Sequence, residues 1–161
     1  MMKDLVHEYV SYGHWATARF VDRLMREGDA VLDAPTLSSF PTLRKTVLHI
    51  RDAEHAWTCR LLGEAQSWPA DPSTALSSVM PFCDRFVETV KAMDEEGLRR
   101  SHAYKDLKGN AHSSAAWRMI LHCVNHGTQH RGQLITMMRA LGLEDVPAND
   151  LIVFQRLQRL M

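Results

Sequence analysis

The chain has 161 residues, of which 45% are hydrophobic and 24% are charged. This length fits one domain, and this composition excludes a disordered chain. The 19 basic and 19 acidic side chains balance, so the chain lacks the positive charge of a nucleic-acid-binding protein or a polybasic membrane anchor. We therefore expect a single domain over residues 1–161, with neither nucleic acid nor membrane as a partner.

The hydrophobic periodicity is helical along most of the chain, because apolar residues recur every three or four positions in four long segments. The predicted helices run from the first residues to Gly28, from Ser38–Pro41 to Gly63, from Leu76 to near Gly97, and from Ser113-Ser114 to about Leu141. Gly109-Asn110 predicts a hairpin turn before the fourth helix. Asp150 is placed to cap a short final helix. The expected fold is all-α: a four-helix bundle with a short C-terminal helix and a small hairpin.

The cysteines and the N-terminal segment predict the compartment. Cys59, Cys83 and Cys123 are odd in number and form no CxxC pair, which favours a reducing environment in which they are buried small hydrophobes. The N-terminal segment has no apolar run of the signal-peptide type, and no run of about 18 apolar residues predicts a membrane span. We therefore expect a cytoplasmic protein.

The middle of the fourth helix departs from the apolar pattern. The eight residues 126–133 include no large apolar side chain, and two of them, Gly127 and Gly132, are glycines. Glycine costs about 1 kcal/mol relative to alanine inside a helix. Local rules fail most often where a site is built, so this stretch indicates a functional site. The glycines are expected to let a neighbouring helix approach.

Two histidines in this stretch have the spacing of metal ligands. His126 and His130 are four residues apart, so they lie on one helix face with Cβ atoms about 5–6 Å apart. The best third ligand is His49, at the edge of the apolar face of the second helix. Three neutral imidazoles with an open position suit Zn²⁺, Ni²⁺ or Fe²⁺. The alternative is a chance pair among nine histidines, lying at the surface.

The remaining histidines have weaker support as ligands. His122 lies one turn before His126 and is expected to be a packed or capping residue. Four others have no partner at metal-ligand spacing and are expected at the surface: His14, His55, His102 and His112.

Four further side chains are candidates for roles beside the histidines. Asp52, one turn after His49, is predicted as a catalytic base or as a group that orients a ligand, with a solvated charge as the alternative. Arg131 is a candidate for binding a substrate carboxylate, although a salt bridge in a dimer or within the helix is the preferred interpretation. Tyr12 and Trp15 are candidates for the mouth of a pocket, with core packing as the alternative.

Several motifs carry a resemblance to a known family. They are residues 46–50 with Asp52 and Trp57, residues 125–134, Leu141-Gly142 with Pro147 and Asp150, and Tyr12-x-x-Trp15-Ala16. With these motifs the chain resembles the DinB/YfiT-like family over nearly its whole length. The resemblance implies a four-helix bundle, commonly a homodimer, with one divalent metal, zinc or nickel. Matched residue by residue, its three ligands are His49, His126 and His130.

The resemblance implies less about the reaction. Members of the family include thiol-dependent S-transferases and a maleylpyruvate isomerase that use low-molecular-weight thiols. We therefore expect a metal-dependent transferase or hydrolase acting on a small molecule, with such a thiol as a candidate. The alternatives are a non-catalytic metal-binding stress-response or scaffold protein and a purely structural bundle. Gly13 and Thr17 stand where the family often has Asn, which implies a changed pocket if those Asn residues shape it.

Overall fold

The computed structural model describes residues 2–158. In chain order the elements are α1 (Met2–Leu24), α2 (Asp29–Leu32), α3 (Leu43–Leu62), a 3₁₀ turn (Leu76–Ser78), α4 (Met80–Lys91), α5 (Glu95–Arg99), β1 (Ser101–Lys105), β2 (Ala111–Ala115), α6 (Ala116–Ala140) and α7 (Leu151–Gln158). Helices α1, α3, α4 and α6 form the bundle, in which α1 and α3 each pack against both α4 and α6. The expected all-α bundle is confirmed.

The hairpin and the short C-terminal helix that the sequence predicted are also present. Strands β1 and β2 form an antiparallel hairpin in which Ser101 lies opposite Ala115. Gly109 in its turn has a φ of 85°, a left-handed conformation that favours glycine. Asp150 precedes α7, and its backbone carbonyl accepts hydrogen bonds from the first turn of that helix.

The first two predicted helix boundaries were wrong by several residues. Helix α1 ends at Leu24, and Gly28 has a φ of −78° and begins the short helix α2 rather than ending α1. Helix α3 begins after Thr42, whose hydroxyl accepts the backbone N–H of Lys45 at 3.1 Å. The predicted start at residues 38–41 therefore lies in a loop, because the threonine satisfies the first turn better.

The later boundaries differ for similar local reasons. The predicted third helix is divided, because α4 ends at Lys91 and Asp94 caps the separate helix α5 by accepting the Gly97 N–H at 2.8 Å. Ser113 and Ser114 pair within β2, so α6 begins later, at Ala116.

The apolar core has two parts with a polar layer between them. One part includes Val10, Phe86, Ile120 and Phe154, and the other includes Phe20, Ile50, Leu134 and Met137. The middle of α6 passes between them, and within residues 126–133 the side chains of His130 and Arg131 are buried. All three cysteines are buried and unpaired. Among residues 2–158, no helix combines the length and hydrophobicity that a membrane span requires.

Candidate metal centre

Three histidine rings from α3 and α6 meet at one point. The Nε2 atom of His126 lies 3.0 Å from Nε2 of His49 and 3.0 Å from Nε2 of His130. One ligand atom from each of the three side chains lies within 4.8 Å of the others. Imidazole nitrogens bind zinc at about 2.0–2.1 Å, so nitrogens at these separations can reach one ion. The three histidines lie close enough together to hold a metal ion.

Gln133 fixes one of these rings in the tautomer that metal binding requires. The Nδ1–H of His130 donates to Oε1 of Gln133 at 2.8 Å, which leaves Nε2 with its lone pair toward the cluster. The amide Nε2 of Gln133 donates in turn to Ser39 Oγ at 2.8 Å. This is the supporting contact typical of metal-binding histidines. The i, i+3 spacing from His130 could have identified Gln133 from the sequence.

His126 differs from His130 in this respect. Its Nδ1 atom is buried and has no hydrogen-bond partner among residues 2–158. Burial lowers the pKa of His126 to about 4, and repulsion by the neighbouring histidines adds to the effect. Burial likewise lowers the pKa of His49 to about 4. Both rings are therefore neutral near pH 7, which is the protonation state that binds metals.

Two loop aromatics cover the cluster on the α3 side. The ring of Phe40 lies 4.2 Å from the ring of His49, and Trp68 approaches the same imidazole edge-on at 5.7 Å. His49, Phe40 and Trp68 share the wall of an open cavity of about 400 Å³. The sequence analysis missed both aromatics, because they lie in loops whose position depends on tertiary packing.

Asp52 lies in the wall of the same cavity. Its Oδ1 atom accepts hydrogen bonds from Arg51 Nε at 2.9 Å and from the Ala70 backbone N–H at 3.0 Å. The side chain is buried, so its charge is not the solvated one considered as the alternative. The carboxylate is instead anchored between α3 and the following loop, beside the histidine cluster.

Comparison with known proteins agrees with this architecture. The family model described as "DinB family" matches residues 1–158. The chain belongs to the DinB family. It is also similar to a curated relative from Bacillus subtilis (strain 168) named "Protein DinB". The two sequences are 23% identical over an alignment 169 residues long, which covers 92% of each chain.

Arg131 of this DinB-family chain lies in the core rather than in a binding pocket. The side chain is fully buried, with Nη1 donating to Thr17 Oγ1 at 3.1 Å and Nη2 to Thr128 Oγ1 at 2.8 Å. A Cβ atom at Gly127 would lie 2.9 Å from Nη1 of Arg131. The glycine therefore makes room for this guanidinium, and the expected approach of a neighbouring helix was wrong. At Gly132 a Cβ would meet nothing within 4 Å.

The histidines outside the three-histidine cluster differ in their exposure and in their contacts. His122 is exposed, and its ring lies 5.0 Å from that of Trp57, outside the three-histidine cluster. His14 and His112 lie at or near the surface and pair with aspartates, and His102 is half-buried in β1. The surface position expected for His55 was wrong. It is buried and contacts Ser67 at 3.1 Å.

The first-helix residues of the family motif belong to the core. Tyr12 is buried and donates its hydroxyl proton to the Asn149 carbonyl at 2.8 Å. Trp15 packs against Phe154 with ring centres 5.6 Å apart. Both aromatics therefore hold α7 against the bundle, in agreement with the core-packing alternative.

Proposed function

We propose that His49, His126 and His130 bind one divalent metal ion and that the protein is a metal-dependent enzyme. The observation that carries this proposal is the convergence of three imidazole side chains, one of which, His49, also lines an open cavity. Three protein ligands leave a coordination position for a small molecule, as in catalytic zinc sites. Zinc or nickel is the proposed ion, and iron is a third candidate that imidazole ligands accept.

The proposed reaction is a transfer of the thiol-dependent S-transferase type, or a hydrolysis, on a small molecule. When bound, such an ion lowers the pKa of a water or a thiol and makes it a nucleophile at neutral pH. Phe40 and Trp68 supply apolar walls that exclude water from one side of the cavity. The substrate assignment rests on the family likeness, and a low-molecular-weight thiol is the first candidate.

Asp52 is the proposed catalytic residue of the chain itself. Its hydrogen bonds from described residues all fall on Oδ1, so Oδ2 is the oxygen available to accept a proton from a bound substrate. The bonds from Arg51 and Ala70 fix the carboxylate at the cavity wall before any ligand arrives. This arrangement is the preorganisation that a general base needs.

A non-catalytic metal-binding protein, such as a stress-response or scaffold protein, is the second candidate. The aromatic cover favours it, since Phe40 lies directly against His49 and narrows the approach. We also propose that the protein is a cytoplasmic homodimer without a nucleic-acid partner. The dimer rests on the family likeness, and light scattering after size exclusion tests it against the 18.4 kDa monomer.

Metal content of protein purified without a histidine tag tests the site. We expect about one zinc, nickel or iron ion per chain in the wild type and a loss of metal in His49→Ala, His126→Ala and His130→Ala. The control is His122→Ala, which removes an exposed imidazole from the same helix one turn away. Metal absent from the wild type after reconstitution, or retained in all three variants, would contradict the site.

Activity separates the two candidate functions. Thiol-transfer and hydrolase substrates are screened with metal-loaded protein, and Asp52→Asn is compared with the wild type. An enzyme loses turnover in this variant while it keeps the metal. Equal turnover of variant and wild type would contradict the role of Asp52, whereas full metal loading without turnover of any substrate favours the binding protein.

A further inference from the structure

A second cavity, of about 390 Å³, is lined by residues of α3, α6 and the β1–β2 hairpin. The hairpin closes it on one side through Tyr104 and Ser114, and Trp57 forms part of its wall. None of the residues given a role above lines this cavity. Its remaining wall is mostly cationic or imidazole-bearing, and includes Arg60 and Arg118.

In the part of the chain that the structure describes, Arg60 forms no ion pair within 4.0 Å, although the carboxylate of Asp106 attracts its charge from a greater distance. Its guanidinium carbon lies 4.4 Å from the centre of the Trp57 ring and 5.2 Å from that of Tyr104. Its Nε atom is buried and has no hydrogen-bond partner within residues 2–158. An unpaired buried donor of a charged group is costly. The two aromatic faces stabilise the cation but do not satisfy its N–H groups.

A second cation stands beside Arg60 in the same wall. Arg118 is exposed and lies over Trp117, and in the described chain it forms no ion pair. His122 adds an imidazole that can donate a hydrogen bond. Arginine guanidinium groups bind carboxylates and phosphates through paired N–H donors, so two of them at one cavity suit an oxyanion.

One carboxylate, Asp106, also lines the cavity, and its hydrogen bonds are made within the hairpin. Its oxygens accept from the Asn110 side chain at 3.0 Å, from His112 at 3.1 Å, and from backbone N–H groups of Lys108 and Asn110. These bonds lower the pKa of Asp106. The hydrogen bonds of Asp106 therefore stabilise the hairpin turn. Because the cavity wall contains two arginines and one carboxylate, it carries an excess of positive charge.

We propose that this cavity binds an oxyanionic group, a carboxylate or a phosphate, of a small molecule through Arg60 and Arg118. The cavity is separate from the proposed metal centre, which lies further along α6 toward its C-terminal end. The rings of His122 and His126 are 6.3 Å apart. Residues 118 and 126 are separated by about 12 Å of helix. The ligand class is accordingly a small molecule that carries a carboxylate or a phosphate group.

Titration calorimetry with glutarate and with inorganic phosphate tests the cavity. We expect at least one anion to bind the wild type, and its affinity to fall at least tenfold in Arg60→Gln and in Arg118→Gln. The matched control is Arg139→Gln, an exposed arginine of the same helix α6 outside the cavity. The anion that binds more tightly identifies a carboxylate or a phosphate as the ligand group.

The failure of this proposal can be separated from that of the metal site. His49→Ala removes a proposed metal ligand but lies outside this cavity, so anion binding is expected to be unchanged in that variant. Absence of binding of both anions to the wild type, or equal binding to wild type and Arg118→Gln, would overturn the proposal. Arg118 is exposed, so its substitution keeps the test valid even if Arg60→Gln fails to fold.

Discussion

Two glycines in one helix are expected to respond to the same substitution in opposite ways. Replacing Gly132 by Ala should stabilise the protein by up to about 1 kcal/mol, the difference in helix propensity, because the added Cβ meets nothing within 4 Å. Replacing Gly127 by Ala has the same intrinsic benefit. However, its Cβ would lie 2.9 Å from Nη1 of Arg131, which is fully buried and bonded to Thr17.

The size of the destabilisation by Gly127→Ala follows from the hydrogen bond that Arg131 would lose. A buried guanidinium cannot move aside into solvent, so the shift disrupts its hydrogen bond to Thr17. A hydrogen bond of a charged group contributes about 1.5–3 kcal/mol. Subtracting the helix-propensity gain of about 1 kcal/mol leaves Gly127→Ala destabilised by about 0.5–2 kcal/mol. For a chain of this size, 1 kcal/mol corresponds to about 2–4 °C in Tm.

Urea and thermal unfolding of metal-free protein measure both variants without a contribution from bound ion. An Arg131→Met background provides the internal control, because Gly127→Ala should become stabilising once the guanidinium is removed. The reasoning is refuted if Gly127→Ala stabilises the wild-type protein as much as Gly132→Ala does. It is also refuted if the sign for Gly127→Ala is the same with and without Arg131.

Two further predictions concern the histidine cluster. Gln133→Ala should weaken metal affinity by about 10–100-fold, which is the usual effect of losing a group that orients a ligand. The control Gln129→Ala, at an exposed position of the same helix, should leave the affinity unchanged. Equal metal affinities of Gln133→Ala and the wild type in a competition titration would contradict this role. In the metal-free protein, His49 and His126 have pKa values lowered to about 4, whereas in the unfolded chain they titrate near 6.5. Between these pH values the unfolded state therefore binds more protons than the folded state, so the urea midpoint should fall as the pH drops from 6.5 toward 4. The midpoint should fall less in the double variant His49→Gln, His126→Gln. An equal dependence of the midpoint on pH in the variant and the wild type would contradict burial of these rings.

The sequence was sufficient for the features that depend on local pattern. Apolar spacing predicted the four long helices, and Gly109-Asn110 predicted the hairpin. The i, i+4 spacing placed His126 beside His130, since that relation is set by the helix itself. The proximity of His49 to them is a tertiary contact, which the edge of an apolar face and the family resemblance indicated together.

The features that the sequence did not predict depend on packing between distant segments. Phe40 and Trp68 reach the cluster from loops with no periodicity, and no spacing rule connects them to His49. His55 resembles a surface residue in the sequence, yet the loop containing Ser67 covers it. Similarly, Gly127 was recognised as unusual, but its neighbour is a side chain four residues ahead in the same helix rather than another backbone.

Gly13 and Thr17, the two α1 positions that the family resemblance singled out, are buried in the core and do not line the cavity beside His49. The Cβ that an Asn would add at Gly13 lies 3.1 Å from Val124, so glycine sets how closely α1 approaches α6. Thr17 accepts the hydrogen bond from Arg131, which lies next to His130 in the chain. Both residues thus fix the position of the helix that supplies two of the three imidazoles. We expect Thr17→Val, which removes the acceptor and keeps the shape, to destabilise the fold. If the variant instead changed substrate preference at unaltered stability, Thr17 would belong to the pocket after all.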